Sequence, residues 1–266
     1  MYRLLAIDLD GTLLSPQKLI TPRTYNALTQ AVRHGMKLVI ATGQTLNVLR
    51  AVCKDLPLNA PQIIYNGAII TDIATGTTLY EQLVPQECIL PTLALLREVG
   101  LYRAYHTHQH VYVDQNTPGA HAWYRPPTPP ALEVPDVAQI YPQPCIKLVG
   151  IGDTSTLRAK RHELEQLLTD QLYVTQASRD LLEFLHPAVS KGSALKWLAH
   201  RLEIAPEEIV AFGDHHNDIG MLQFAGLGIA MGNAHDEVKA AADYVTLRNS
   251  EDGIAVALEN ANTASL

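Results

Sequence analysis

A four-residue apolar run, Leu4-Leu5-Ala6-Ile7, ends abruptly in Asp8-Leu9-Asp10-Gly11-Thr12. A short, continuous apolar run is the pattern of a strand buried on both faces, as in a parallel sheet. Two carboxylates at i and i+2 just beyond such a strand stand at the carboxyl edge of the sheet, where open α/β folds place ligands. Gly11 permits the tight turn that brings them together. The alternative reading is an acidic turn punctuated by Asp10-Gly11.

The same alternation of buried strand and amphipathic helix recurs in two blocks. Thr21-Pro22 reads as an N-cap with proline at the first helical position, and that helix ends near His34-Gly35. Lys37–Ala41 and Gln62–Tyr65 read as further strands. After the middle of the chain come a helix over Ser193–Leu202 and strands at Glu208–Phe212 and Leu227–Met231. Residues 1–83 and 188–266 therefore predict a doubly wound, Rossmann-like parallel-sheet core of α/β class. Residues 84–187 read differently: a helix over Pro85–Val99, paired antiparallel strands over Leu101–Thr107 and His110–Asp114, a Pro-rich loop at Arg125–Pro130, then strand, helix and two more strands. This is an inserted α+β domain, and the Pro-rich loop reads as a stiff surface connection.

Composition narrows the function classes. The 266 residues are 47% hydrophobic and 18% charged, the balance of a globular chain. A net charge of −7 argues against a nucleic-acid partner bound through a broad basic face. No apolar run approaches the roughly 20 residues of a membrane helix. The start turns acidic too soon for a signal peptide. Cys53, Cys88 and Cys145 lack CxxC spacing, against a disulfide framework or zinc site. A soluble, cytoplasmic protein is expected.

A second acidic cluster, Gly213-Asp214-His215-His216-Asn217-Asp218, again follows a buried-strand pattern. The simpler alternative is a helix start capped by Asn217 or Asp218. If both clusters converge at one sheet edge, their carboxylates repel unless a cation or protons intervene, and Mg²⁺ is the economical choice. Thr42-Gly43 ends another strand with a hydroxyl and a flexible backbone, both able to hold phosphate oxygens. Lys191-Gly192 precedes a helix; a lysine there is ordinarily a solvated surface residue, but beside a metal-carboxylate site it balances a phosphoryl group.

In order, Asp8-x-Asp10-Gly-Thr, Thr42-Gly43, Lys191-Gly192 and Gly213-Asp214-x-x-Asn217-Asp218 resemble the motifs of the haloacid dehalogenase-like phosphatases, and most closely the Cof-type branch acting on sugar phosphates and other small metabolites. Asn66-Gly67-Ala68 resembles a further loop of that branch, and 84–187 falls where the branch carries its α/β cap. The resemblance implies a Mg²⁺-dependent phosphomonoester hydrolase. Asp8 would be the nucleophile that forms an aspartyl-phosphate, and Asp10 the general acid and base, with Thr42 and Lys191 completing the catalytic set. Leu9 (through its amide), Thr42, Gly43, Asn66, Lys191 and Asn217 would bind the phosphoryl group. Asp8, the Asp10 main-chain carbonyl and Asp214 would hold Mg²⁺, and Asp218 would orient Lys191 or a metal-bound water. The partner would be a small phosphorylated metabolite, with no nucleic acid or membrane, and the protein a monomer or homodimer.

One position departs from the branch: Gln44 stands where Thr-Gly-Arg is common. A missing guanidinium puts substrate affinity and class in question more than the chemical step. In the cap, Tyr102, Tyr105, His106, His108, His110 and Tyr112 cluster on two adjacent strand-like runs. They suit recognition of a hydroxyl-rich or planar leaving group. His106, His108 and His110 share one face if that stretch stays extended, although a turn through 107–109 would break the pattern; a metal trio is conceivable, but neighbouring histidines on a solvated sheet face are the preferred reading. His215 and His216 read as loop residues near the site. The rival functions are a phosphosugar mutase using the same aspartyl-phosphate, and a catalytically silent sugar-phosphate-binding regulator.

Overall fold

The protein was analysed as a computed structural model, which describes residues 1–115, 117, 124, 126–178 and 180–262. Its chain divides into two compact units, one made of Met1–Tyr80 with Ser190–Leu266, the other of Glu81–Val189.

In the first unit, β1 (Leu4–Ile7) is buried along its whole length. It pairs in parallel with β2 (Lys37–Ile40) on one side and β12 (Ile209–Gly213) on the other, with Ile7 level with both Ile40 and Phe212. β13 (Leu227–Ala230) and β14 (Tyr244–Val245) extend this all-parallel sheet to the order β14-β13-β12-β1-β2. The connecting helices are α1 (Pro22–Arg33), α2 (Leu46–Val52), α5 (Lys191–Arg201), α6 (Ile219–Phe224), α7 (Asp236–Ala240) and α8 (Gly253–Asn262). Thr21 Oγ1 accepts from the Thr24 amide, so α1 starts where the Thr-Pro signal puts it. Leu195, Leu198, Met221 and Leu222 pack with Ala6, Val39 and Ala211 of the sheet. Burial of each of the larger side chains contributes about 1.5–3 kcal/mol. Among the described residues, no helix is long and apolar enough to cross a membrane.

The run Gln62–Tyr65 departs from its expected place as a third parallel strand. β3 (Gln62–Ile64) belongs to a separate antiparallel sheet with β4 (Ile69–Thr71) and β5 (Thr78–Glu81), touching the main sheet through the isolated bridge of Ala41 to Ile63. Side chains complete the edge of β2 instead. Gln62 Oε1 accepts from the Ile40 amide at 2.7 Å, and Asn59 Oδ1 accepts from the Leu38 amide at 2.9 Å. These amides satisfy the buried backbone donors that a full ladder would have paired.

The second unit is α+β. Its sheet runs β10-β11-β9-β6-β7-β8, built from β6 (Tyr102–His106), β7 (Val111–Asp114), β8 (Ala131–Val134), β9 (Lys147–Ile151), β10 (Tyr173–Ser178) and β11 (Leu181–Leu185). Only β7 and β8 pair in parallel. β8 escapes the sequence reading because its four residues, Ala-Leu-Glu-Val, lack a buried alternation. α3 (Gln86–Glu98) and α4 (Thr154–Leu168) share a core with Tyr105, Leu148 and Phe184. Of the Pro-rich loop, Arg125 lies outside the described residues.

The expected solvated row of histidines is not formed. The chain turns between β6 and β7, with the Thr107 amide and hydroxyl both donating to the His110 carbonyl, so the three rings do not share a face. His106 is buried with Nε2 3.1 Å from Tyr124 Oη, and burial pushes its imidazole well below the usual range. His108 lies 3.0 Å from Glu81, and His110 packs edge-on to Tyr112. Tyr105 is fully buried in the helix-side core, which removes it from the residues able to face a ligand.

Candidate active site

Because β1 and β12 are parallel neighbours, their carboxyl ends deliver Asp8 and Asp214 side by side. The Asp8 amide continues the ladder, donating to the Phe212 carbonyl at 3.0 Å. Lys191, the first residue of α5, follows the capping Ser190 and is 1% exposed rather than solvated. Its Nζ lies 2.5 Å from Asp8 Oδ1 and 2.6 Å from Asp218 Oδ1. Asp218 precedes α6 but does not cap it: Oδ2 accepts the amides of Asp214 and His215 at 3.0 Å each, which fixes the loop after β12.

Two side-chain donors place Asp214. Thr12 Oγ1 donates to Asp214 Oδ1 at 2.8 Å, and Asn233 Nδ2 reaches both the Gly11 carbonyl (2.8 Å) and Asp214 Oδ2 (3.4 Å). Gly11 has φ +89°, and a Cβ there would stand 2.4 Å from Asp214 Oδ2, so only glycine suits the DxDGT turn.

The carboxylates of Asp8, Asp214 and Asp218 each offer an oxygen within 4.8 Å of the others. Burial pushes the Asp8 carboxyl well above its ordinary range, against the pull of Lys191, and Asp218 and Asp214 add to the rise. Asp214 rises for the same first reason, opposed by the Thr12 hydrogen bond. Burial disfavours the Lys191 ammonium, but Asp218 and Asp8 outweigh it and hold the group above the usual lysine range. One ammonium against three carboxylates leaves excess negative charge. A hard divalent cation offsets it, and carboxylate oxygens are the donors Mg²⁺ takes. The residues fit such an ion.

Thr42, Gly43, Asn66 and Asn217 gather beside this cluster. The Asn66 amide donates to the Thr42 carbonyl at 2.9 Å, and Asn217 Nδ2 donates to Asn66 Oδ1 at 3.0 Å. Asn217 Oδ1 is buried with no hydrogen-bond partner among the described residues, a polar atom left for something the chain does not supply. Tyr65, Asn66 and Gly67 all have positive φ, and a Cβ on Gly67 would meet the Ser190 carbonyl oxygen at 2.3 Å. That close approach sets the Asn66 loop against the start of α5. Leu9 is buried, 1% exposed.

Asp10 stands apart from the three clustered carboxylates. Its Oδ1 pairs with Lys18 Nζ at 2.7 Å and its Oδ2 accepts from Gln44 Nε2 at 2.8 Å. Gln44 thus touches the second aspartate rather than simply leaving a gap at the mouth of the site. Sequence reasoning missed Lys18, Thr12 and Asn233 in these roles. The one available signal was Gly232-Asn233 just beyond the β13 run, the same strand-then-polar pattern that marked Asp8 and Asp214.

A family model described as haloacid dehalogenase-like hydrolase matches residues 5–258. Pyridoxal phosphate phosphatase YbhA of Escherichia coli is 32% identical over 273 residues, covering 95% of this chain and 96% of that protein. The 5-amino-6-(5-phospho-D-ribitylamino)uracil phosphatase YcsE of Bacillus subtilis is 31% identical over 271 residues, covering 97% and 95%. The crystal structure of a haloacid dehalogenase-like hydrolase from Bacteroides thetaiotaomicron superposes with a TM-score of 0.86 at 30% identity, covering 98% of this chain and 99% of that one.

Proposed function

The chain belongs to the haloacid dehalogenase-like hydrolases and is a phosphatase, and from that premise we propose that it hydrolyses small phosphorylated metabolites, sugar phosphates first among them, with Mg²⁺ and through a phosphorylated Asp8. The observation that carries this reading is the Lys191 ammonium bridging Asp8 and Asp218 while Asp214 stands within shared reach of both carboxylates.

Asp8 attacks phosphorus in line, the bond to the leaving oxygen breaks, and an aspartyl-phosphate forms. Asp10 gives its proton to the leaving alkoxide, then takes one from the water that attacks the aspartyl-phosphate; inorganic phosphate leaves and Asp8 is restored. Lys191, the Leu9 amide, Thr42, Gly43 and Asn217 hold the phosphoryl oxygens, and Asn66 orients Asn217 through their hydrogen bond. Asp218 keeps Lys191 charged and pointed at Asp8. Mg²⁺, held by Asp8, Asp214 and the Asp10 main-chain carbonyl, would supply neutralisation of phosphoryl charge.

Every residue in this scheme lies in the first unit, and the phosphoryl group is common to all phosphomonoesters. We assign choice of the leaving group to the second unit, Glu81–Val189. The two named relatives act on a pyridoxal phosphate and a phospho-ribityl compound, which makes ring-bearing phosphates the comparators for sugar phosphates. The test is kcat/KM over a panel of both classes, with Mg²⁺ and with EDTA, joined to mass spectrometry of the Asp8 peptide in the Asp10→Asn variant. Sugar phosphates should lead, EDTA should abolish turnover, and Asp8 should carry phosphate. Metal-independent turnover or phosphate on another residue would reject the mechanism; a ring phosphate at the top of the ranking would reject only the substrate class.

A further inference from the structure

Three imidazoles that the phosphatase scheme leaves unused stand together. His215 and His216 follow Asp214 at the end of β12, and His235 lies in the loop beyond β13. Those strands are parallel neighbours, so both loops leave the sheet at the same edge. The ring centroids are 5.3 Å apart for His215 and His216, 5.3 Å for His215 and His235, and 5.1 Å for His216 and His235. Each ring offers one nitrogen, and the three nitrogens lie within 4.8 Å of one another. Glu237 Oε2 is 3.7 Å from His216 Nε2.

The backbones that carry these rings are tied down. The His215 amide donates to Asp218, and the His235 carbonyl accepts from Val238 and Lys239 at 3.0 Å each. Asn233, two residues before His235, is held from both ends of its side chain: Nδ2 donates to the Gly11 carbonyl and Oδ1 accepts the Asn249 amide. The rings themselves are exposed. A metal–imidazole distance of about 2.0–2.1 Å asks the nitrogens to close to roughly 3.4 Å, a rotation of exposed side chains rather than a backbone movement.

We propose that His215, His216 and His235 form a binding site for a borderline divalent transition-metal ion of the Zn²⁺ type, with the Glu237 carboxylate beside it adding negative charge. Ligand softness separates it from the acidic cluster. Imidazole nitrogens select Zn²⁺ and its transition-metal neighbours, whereas the carboxylate oxygens of Asp8, Asp214 and Asp218 suit Mg²⁺. Two ions of different chemistry would thus bind on one loop, at adjacent residues Asp214 and His215. Three protein ligands and a solvent-facing side match the open type of zinc coordination rather than the closed structural type.

The test is Zn²⁺ titration of the untagged, metal-stripped full chain in millimolar Mg²⁺, by competition with a chromophoric chelator. The wild type should bind one Zn²⁺ that Mg²⁺ does not displace, and substitution by Co²⁺ should give the visible absorption of a low-coordinate imidazole site. His235→Ala should weaken Zn²⁺ at least tenfold and lose the Co²⁺ bands, with unchanged melting temperature and unchanged Mg²⁺-supported hydrolysis. Asp8→Asn should leave the Zn²⁺ affinity within twofold. Absence of a Mg²⁺-resistant Zn²⁺, full Zn²⁺ affinity in His235→Ala, or loss of the ion in Asp8→Asn instead would each overturn the site.

Discussion

Gln44 Nε2 donates a hydrogen bond to Asp10 Oδ2 over 2.8 Å, tying the loop after β2 to the second aspartate of the loop after β1. Lys18 holds the other oxygen at 2.7 Å, but with both partners well exposed that pair is screened by solvent and contributes little. Gln44 is therefore the contact that orients Asp10.

Replacing Gln44 by leucine should free Asp10 to rotate. One hydrogen bond of this kind is worth about 1 kcal/mol, or about fivefold in rate. The loss should fall on sugar phosphates, whose alkoxide needs a proton in order to leave, and should spare p-nitrophenyl phosphate. Equal kcat losses on both substrates would show that Gln44 acts on the phosphoryl group and not through Asp10.

The elevated Asp8 carboxyl sets a pH dependence with a definite sign. Folding raises its proton affinity, so the folded state binds more protons at this group than the unfolded one over that range, and the Asp8 contribution to metal-free stability falls as pH rises through it. Mg²⁺ should reverse the trend by favouring the carboxylate. Asp8→Asn should remove this falling contribution from the metal-free slope and lower kcat by orders of magnitude. Urea unfolding of the wild type and Asp8→Asn between pH 5 and 8, with EDTA and then with Mg²⁺, measures the slope; the buried neutral His106 adds stability as pH rises in the same window, so the difference between the two proteins carries the Asp8 contribution, and a metal-free difference that climbs with pH would contradict the assignment.

Asn233 should prove necessary for tight metal binding, although it offers the ion no carboxylate. Its amide steadies Asp214 and the Gly11 carbonyl together. Asn233→Ala should raise the Mg²⁺ concentration for half-maximal activity about 10–100-fold, as loss of an orienting partner does at other metal sites. kcat at saturating Mg²⁺ should recover. A permanent loss of kcat would place Asn233 in the chemical step.

Arg103 is the stability test for the second unit. It is 4% exposed, donates to Asp114 at 2.6 and 2.8 Å, and reaches Asp136 at 3.1 Å. Arg103→Met leaves the largely buried Asp114 carboxylate without its fork, while Asp136 keeps Arg97, and should cost about 3 kcal/mol. Arg103→Lys should recover only part of this, since an ammonium cannot span both partners. Amide hydrogen exchange in β6 and β7 reads the effect locally, and wild-type protection in Arg103→Met would show that solvent already serves both aspartates.

What the sequence determined by itself was local: where short apolar runs bury on both faces, where Thr21-Pro22 starts a helix, and which polar residues stand just past each strand. Those features are set by spacing and side-chain type, so Asp8, Thr42 and Asp214 stood out just past their strands, while Lys191, an ordinary solvated lysine by spacing alone, was picked out only through its place among the family's motifs. Tertiary structure decided what depends on partners distant in the chain. Lys191 is buried because Asp8, 183 positions away, and Asp218 share its charge. Gln62 and Asn59 finish the edge of β2, which leaves β3 free to join another sheet. The turn at Thr107 broke up one set of histidines in the second unit, while the parallel pairing of β12 with β13 assembled another from His215, His216 and His235. Spacing along a strand or helix encodes the first kind of fact; only the closing of the sheet, which sets neighbouring strand ends side by side, creates the second.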